Sequence, residues 1–240
     1  MSPASIRPLN RLLLALPAGD FSRLILDLDQ VHYHVRDILI DADNPIDYVF
    51  FPDDCIISVV AVYANGDMIE MATIGREGAT GFQAVFDVKI SAVRFMVQVP
   101  GSATRLSHAA FTRAVESMPS FRKLMFAYIP ALLQQVMVSV ACNGRHSLKQ
   151  RLARWLLAMR DRIDGDTLFI TQDLLADMLG AYRPSITHVV RELELAGVIA
   201  RGRRKITILD RAGLKRESCE CYQLVRDRIA SYLPQTYPSP

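Results

Sequence analysis

Between Thr171 and Val190 the chain reads TQDLLADMLGAYRPSITHVV, and its apolar positions recur at steps of three and four. Leu174, Leu175, Met178 and Leu179 form one stripe; Ile186, Val189, Val190 and Leu193 form the next. This spacing predicts two short amphipathic helices. Thr171 can cap the first by accepting a backbone N–H bond, and Ala176 is small enough for the second to approach closely. Gly180 supplies the positive φ that a sharp turn needs, and Pro184 opens the second helix, where its missing N–H is harmless. The second stripe leaves Arg183, Ser185, Thr187, His188 and Arg191 on the open face. Beyond it, Gly197 stops the helix, and VIARGRRKITIL reads as two β-type runs around Arg201, Gly202, Arg203, Arg204 and Lys205. The whole segment is a helix-turn-helix followed by a basic-tipped hairpin, or wing. The open helix face suits base edges and the wing suits phosphates. The candidate DNA contacts are therefore Thr171, Gln172, Tyr182, Arg183, Ser185, Thr187, His188, Arg191, Arg201, Arg203, Arg204 and Lys205.

The N-terminal half has a different texture. VHYHV, YVFF, CIISVVAVY, DMIEMATI, VRFMVQV and ATRLS are short strand-like runs between residues 31 and 106, and Asn65-Gly66 reads as a two-residue hairpin turn. Such strands predict a small antiparallel roll or jelly roll. From Ser107 the pattern turns helical, breaks at Met118-Pro119, and resumes from Ser120 to about Asn143. In that longer helix Phe126, Ile129, Leu133, Val136 and Val140 alternate steps of three and four, a coiled-coil seam that invites a second copy of the chain. Pro130 is expected to kink it. A further helix, SLKQRLARWLLAMRDRI, places Leu148, Leu152, Trp155, Leu156 and Met159 on one face and ends at Asp164-Gly165-Asp166. The expected class is α+β. Its parts are a sensor-type roll over 1–118, a dimerisation helix over 119–144, a winged helix-turn-helix over 145–216 and a helical tail over 217–240.

Charge sharpens this division. Residues 145–216 carry 15 Lys and Arg against 8 Asp and Glu, a net +7 that is hidden in an overall +3, while the remainder is mildly acidic at −4. Such separation is expected when one module alone meets a polyanion. With 240 residues, half of them apolar, the chain can build two real cores. RLLLALPAG near the start is too short for a signal-peptide core and stops at Pro17, and no apolar run is read as spanning a bilayer. Four cysteines without a CxxC pair argue against a disulfide framework and for a reducing cytoplasm. Cys219-x-Cys221 could bind a metal or form a redox couple, but a lone CxC reads first as a pair of ordinary tail thiols, so no metal ligand is assigned.

The order of β-roll, long helix and winged helix-turn-helix resembles the CRP/FNR transcription regulators, whose docking CAP exemplifies. The resemblance is carried by RLARWLL at 151–157, by LLADMLGAYRPSITHVVRELELAGVI at 174–199 and by NGDMIEMATIGREGATG at 65–81. It implies a homodimer on a two-fold symmetric operator in double-stranded DNA, an effector sensed in the roll, and a contact with RNA polymerase. Cyclic-nucleotide binders of the family hold the ribose with a Glu directly after a Gly, and the phosphate with the Arg of an Arg-Ser/Thr-Ala triplet. Here Glu77 precedes Gly78, and the triplet reads Ile90-Ser91-Ala92. The polar pair that meets the purine becomes Val136-Met137 on an ungapped alignment. Burying a cyclic phosphate without a cation is costly, so cyclic AMP is not the expected effector and the cofactor is left unknown. Arg76, Glu77, Gly78 and Arg94 remain as candidate effector contacts, with Lys89 a further cation. In the recognition helix, the Arg-Glu-x-x-x-Arg pattern of some family members survives only at Arg183. Pro184 and His188 take the other two places.

Other chemistries fit less well. The oxygen-sensing branch of the family needs an N-terminal cysteine cluster, and none lies before Cys55. A haem sensor would need an axial ligand such as His32 or His34. Gly75, Gly78 and Gly81 lack the βαβ context of a phosphate cradle and read as tight turns. The competing class is a metal-dependent, cupin-like β-roll enzyme or a metal or redox sensor using His32-x-His34. The next Glu is Glu70, and a third His would have to be His108 or His146, outside the roll. Asp53 and Asp54, adjacent on a strand, would point to opposite faces and cannot act as an acid/base pair. No catalytic residue is assigned.

Overall fold

The computed structural model describes residues 8–234. Two short helices, α1 (Arg11–Leu14) and α2 (Ala18–Leu24), precede seven strands. These are β1 (Leu28–Tyr33), β2 (Ile38–Ile40), β3 (Tyr48–Pro52), β4 (Ile56–Val62), β5 (Met68–Ile74), β6 (Arg94–Val99) and β7 (Gly101–Ser107). They form two sheets, of order β1-β7-β3 and β2-β6-β4-β5. Leu28 and Val49 both register against Leu106, so one apolar row crosses the first sheet. Phe51 and Phe95 are fully buried under the strands, and Phe111 and Phe121 from the following helices complete this core. Asp53 is buried there as a structural acceptor. It takes the backbone N–H groups of Leu9 and Asn10 at 2.7 and 3.2 Å, and the side chains of Gln30 and Thr104, each at 2.9 Å.

The helical part follows the expected order. Ser107 caps α3 (His108–Ser117), and α4 runs Pro119–Arg145 straight through Pro130 without a break. Ser147 and Gln150 close a capping box on α5 (Leu148–Arg160). A two-residue strand β8 (Thr167–Leu168) leads into α6 (Gln172–Leu179) and α7 (Arg183–Leu195), then into β9 (Ile199–Gly202) and β10 (Lys205–Ile208). The chain ends in α8 (Arg211–Glu217) and α9 (Cys221–Tyr232). The helical tail expected over 217–240 is α9 as far as Tyr232, and residues 235–240 lie outside the described residues.

Three expectations need correction. Asn65-Gly66 does not make a two-residue turn: the Asn65 side-chain Oδ1 accepts from the Asp67 N–H at 3.1 Å, and the Tyr63 N–H donates to the Asp67 backbone carbonyl, leaving a five-residue loop. β2, only three residues long, was not read from the sequence. The third concerns α4, whose 27 residues include a window of mean hydropathy 1.7, long and apolar enough to cross a membrane by length and composition. The helix is apolar on both sides, because Phe121, Met125, Tyr128 and Leu132 are buried while Phe126, Leu133, Met137 and Val140 are exposed.

The chain packs as two compact units. One holds the chain up to Val59, Thr73–Gln134 and the segment from Arg228; the other holds Val60–Ala72 and Gln135–Asp227. The second unit therefore includes the tip of the β4–β5 hairpin, which the boundary expected at residue 145 left out. Trp155 donates to Glu70 at 2.9 Å, and Ile69 packs on Gly180 so closely that a Cβ there would lie 3.0 Å away. The tail is built in as well. Asp161, nearly buried, accepts from the Tyr222 hydroxyl at 2.8 Å, pairs with Arg211 at 3.1 Å and forms a direct ion pair with buried Arg226. Asp161→Ala strands the Arg226 charge, and breaking such a buried pair costs about 3 kcal/mol. Urea unfolding should show that loss, and the double variant Asp161→Leu with Arg226→Met should recover much of it. A loss in Asp161→Ala below about 1 kcal/mol would contradict this role.

Candidate nucleic-acid interface

The two helices of the motif are fixed from both ends. Thr171 Oγ1 accepts the Leu174 N–H at 3.2 Å, and Gly180 closes α6 at φ 55° and ψ 48°, a left-handed conformation that a side chain would resist. Arg151 on α5 donates its guanidinium to the Leu179 carbonyl, so the orphan acceptor at the end of α6 is satisfied from another helix. α7 starts at Arg183 with Pro184 in its first turn. Ile186, Val190 and Leu193 are completely buried and Val189 nearly so. Arg183, Pro184, Ser185, Thr187, His188 and Arg191 are all exposed, as is Tyr182 before the helix.

Beside this face stands the wing. β9 and β10 pair antiparallel with Gly202 opposite Lys205, so Arg203 and Arg204 make the turn, and β8 joins β10 on its other side. Arg204 has φ 58°, an uncommon conformation for a residue with a Cβ. Arg201, Arg203, Arg204 and Lys205 are exposed. A groove of about 330 Å³ runs between helix and wing, lined by Thr171, Gln172, Arg183, Arg201, Arg204 and Lys205 among others. Six of the twelve expected DNA contacts thus line one groove, and the others are exposed on α7, its approach and the wing tip.

Several of these side chains are held by neighbours that periodicity did not reveal. Arg183 Nε pairs with Asp173 at 3.0 Å, His188 Nε2 with Glu192 at 3.0 Å, and Arg201 Nε with Glu194 at 2.8 Å. The Thr187 hydroxyl donates to Gln172 at 2.7 Å. These pairs are solvent-exposed and individually weak, so they orient the side chains at small cost to any phosphate that competes for them. Arg191, Arg203, Arg204 and Lys205 have no carboxylate partner among the described residues.

The expected effector contacts behave differently. Arg94 is bound by Asp41 in a two-point pair, Nε at 2.7 Å and Nη2 at 3.0 Å, which holds the Asp41 carboxyl below its usual range. Glu77 is buried and accepts the Gly75 N–H within its own turn. Against Gly78 stands Tyr128 of α4, whose hydroxyl donates to the Ala79 carbonyl at 2.8 Å; a Cβ on Gly78 would meet that oxygen at 2.7 Å. Arg76 gives its carbonyl to the Arg11 N–H. Ile90 and Lys89 are exposed. Arg76, Glu77 and Gly78 are consecutive in one turn, but Glu77 and Arg94 are committed to other partners.

On α4 the expected seam lies partly open. Leu133 and Val140 are 54% and 69% exposed, Phe126 is exposed, and Ile129 and Val136 are half-buried. His32 and His34 form an exposed edge-to-face ring pair, and His108 holds the Ile46 carbonyl through Nδ1 at 2.9 Å. Cys219 and Cys221, read from the sequence as tail thiols, are instead buried beside Cys142 and His146.

With this geometry in place, the chain can be set beside known proteins. Residues 150–217 match the family described as the Crp-like helix-turn-helix domain. No curated protein matches the sequence. Among solved structures, FixK2 from Bradyrhizobium japonicum has a TM-score of 0.70 at 15% identity, with 80% of this chain and 98% of that one covered. TTHB099 from Thermus thermophilus, a transcriptional regulator of the CRP family, has 0.67 at 18%, covering 78% and 96%. CLP from Xanthomonas campestris, a c-di-GMP-responsive global regulator, has 0.66 at 13%, covering 81% and 100%. The chain has the fold of these regulators, and residues 150–217 form its Crp-like helix-turn-helix domain.

If the wing holds phosphates, neutralising Arg203 and Arg204 weakens specific and random DNA alike. Were two chains to bind together, two charges on each would make the slope of log affinity against log salt shallower by about 3.6. A salt slope unchanged in the Arg203→Ala, Arg204→Ala variant would mean that the tip points away from DNA.

Proposed function

We propose that two copies of the chain bind a two-fold symmetric DNA operator, each inserting α7 into the major groove while its wing grips the flanking backbone. The observation that carries this reading is the uninterrupted exposed face of α7, from Arg183 to Arg191, lying beside an exposed cationic hairpin. Arg183 and His188 read bases on this proposal, and Ser185, Thr187 and Arg191 share the helix face with them. Pro184 offers only apolar contact where a Glu would accept from cytosine N4, so the preferred base pair at that position differs from that of family members carrying the Glu. The seam on α4, apolar and open at Phe126, Leu133 and Val140, supplies the pairing surface. Pairing on it would place two α7 helices on one operator, each half-site read by one chain.

Selection from random DNA, followed by sedimentation of the complex, tests the proposal. It should yield a palindromic site bound by two chains. Arg183→Ala should lower affinity for that site by about 1–3 kcal/mol and leave random DNA nearly unaffected. Equal losses on both, or one chain per site, would overturn it.

The roll is proposed to sense a ligand other than cyclic AMP. No cation replaces the family's phosphate-binding Arg at exposed Ile90, Glu77 faces inward, and Arg94 already has its carboxylate. Titration calorimetry with millimolar cyclic AMP should therefore show no saturable binding. Micromolar binding that raises operator affinity tenfold, about 1.4 kcal/mol of coupling, would contradict the proposal.

A further inference from the structure

Four potential metal ligands from two distant segments meet inside the second compact unit. Cys142 and His146, four residues apart, project from the same side of the last turn of α4, and His146 continues the helical bonding by donating its N–H to the Cys142 carbonyl at 3.0 Å. Cys219 lies in the turn between α8 and α9, and Cys221 opens α9. The three cysteines are buried, His146 is mostly so, and the four ligand atoms all lie within 4.8 Å of one another.

Their separations are informative. Bonds of about 2.3 Å to sulfur and about 2.0–2.1 Å to nitrogen, arranged tetrahedrally, put two sulfurs about 3.8 Å apart and a sulfur and a nitrogen about 3.5–3.6 Å apart. Cys142 Sγ and Cys219 Sγ are 3.6 Å apart, and Cys221 Sγ lies 3.7 Å from His146 Nδ1. Both distances match edges of one zinc-sized tetrahedron, whereas a disulfide would need its sulfurs at about 2.05 Å. The outer contacts match as well. With Nδ1 turned to the cluster, the other ring nitrogen, Nε2, lies 3.2 Å from the Glu220 carboxylate, the arrangement that orients a ligating imidazole and strengthens it as a donor. Three thiolates around a divalent ion leave one net negative charge, and Arg154 is close enough to act electrostatically on Cys142.

We propose that Cys142, His146, Cys219 and Cys221 form a closed structural site for a Zn²⁺-type ion, which clamps the end of α4 to the turn between α8 and α9. Four protein ligands leave no open position, so the site is structural rather than catalytic. The thiols lose their protons on binding, and no redox partner is needed. The site is independent of the DNA face, and its test does not depend on operator binding.

Elemental analysis of the full-length protein, purified under reducing conditions and reconstituted with zinc, should find about one zinc per chain. Replacement by Co²⁺ should give the intense visible bands of tetrahedral cobalt together with thiolate charge-transfer absorption. Cys219→Ser and Cys221→Ser should each lower zinc affinity at least tenfold, while Cys55→Ser, outside the cluster, retains the metal. Because a serine variant can lose its fold, alkylation of the wild-type chain offers a second measurement. Chelation should speed modification of Cys142, Cys219 and Cys221 at least tenfold and leave Cys55 unchanged. Failure to take up zinc, octahedral cobalt without thiolate bands, a metal content unchanged in folded Cys219→Ser, or cysteine reactivity indifferent to chelation would each overturn the proposal.

Discussion

The arrangement of the DNA-binding unit depends on one stripe of apolar contacts, the burial of Ile186, Val189, Val190 and Leu193 along α7. Each such side chain is worth about 1.5–3 kcal/mol when fully removed from water. Their spacing leaves the helix little freedom to roll about its axis. A slip of one residue rotates it by about 100°, taking the stripe out of the core and the polar face into it. The outward direction of Arg183, Ser185, Thr187, His188 and Arg191 is thus a consequence of what α7 buries. Gly180 and Arg151 then set where α7 begins, the first by permitting the turn and the second by holding the Leu179 carbonyl that the turn leaves unbonded.

On this scaffold the charged groups are arranged in two grades. Arg183, His188 and Arg201 rest against Asp173, Glu192 and Glu194, whereas the wing tip has no such carboxylates among the described residues. An exposed ion pair is worth at most about 1 kcal/mol, so a phosphate or a guanine edge can displace the carboxylate. Until that happens the pairs restrict long side chains that would otherwise lose more freedom on binding. The unpaired wing cations suit a different task, attracting any duplex regardless of sequence. On the proposed function, selectivity and general affinity fall to separate elements, α7 and the wing.

The helix-turn-helix was legible because its signals are local. Thr171 caps, Gly180 turns, Pro184 opens and the stripe repeats, all within about twenty-five residues. The helix α4 was legible for the same reason. What escaped the sequence joins residues far apart: Arg151 with Leu179, Trp155 with Glu70, Asp161 with Arg226, and Cys142 with Cys219. In the last case neither half is diagnostic, since Cys-x-x-x-His and Cys-x-Cys are each common in ordinary segments, and only the fold brings them together. Local signals also misled at Asn65-Gly66, where the Asn65 side chain closed its own turn, and on α4, where two apolar faces serving different ends give a membrane-like composition.

The central claim, that paired α7 helices occupy successive major grooves of one duplex, is tested most directly by methylation interference at guanine N7 on the selected operator. This atom lies on the major-groove edge that α7 is proposed to read. The account predicts two clusters of interfering guanines, related by two-fold symmetry and centred about one helical turn, roughly 10 base pairs, apart. A single cluster, or interference confined to minor-groove positions, would contradict it.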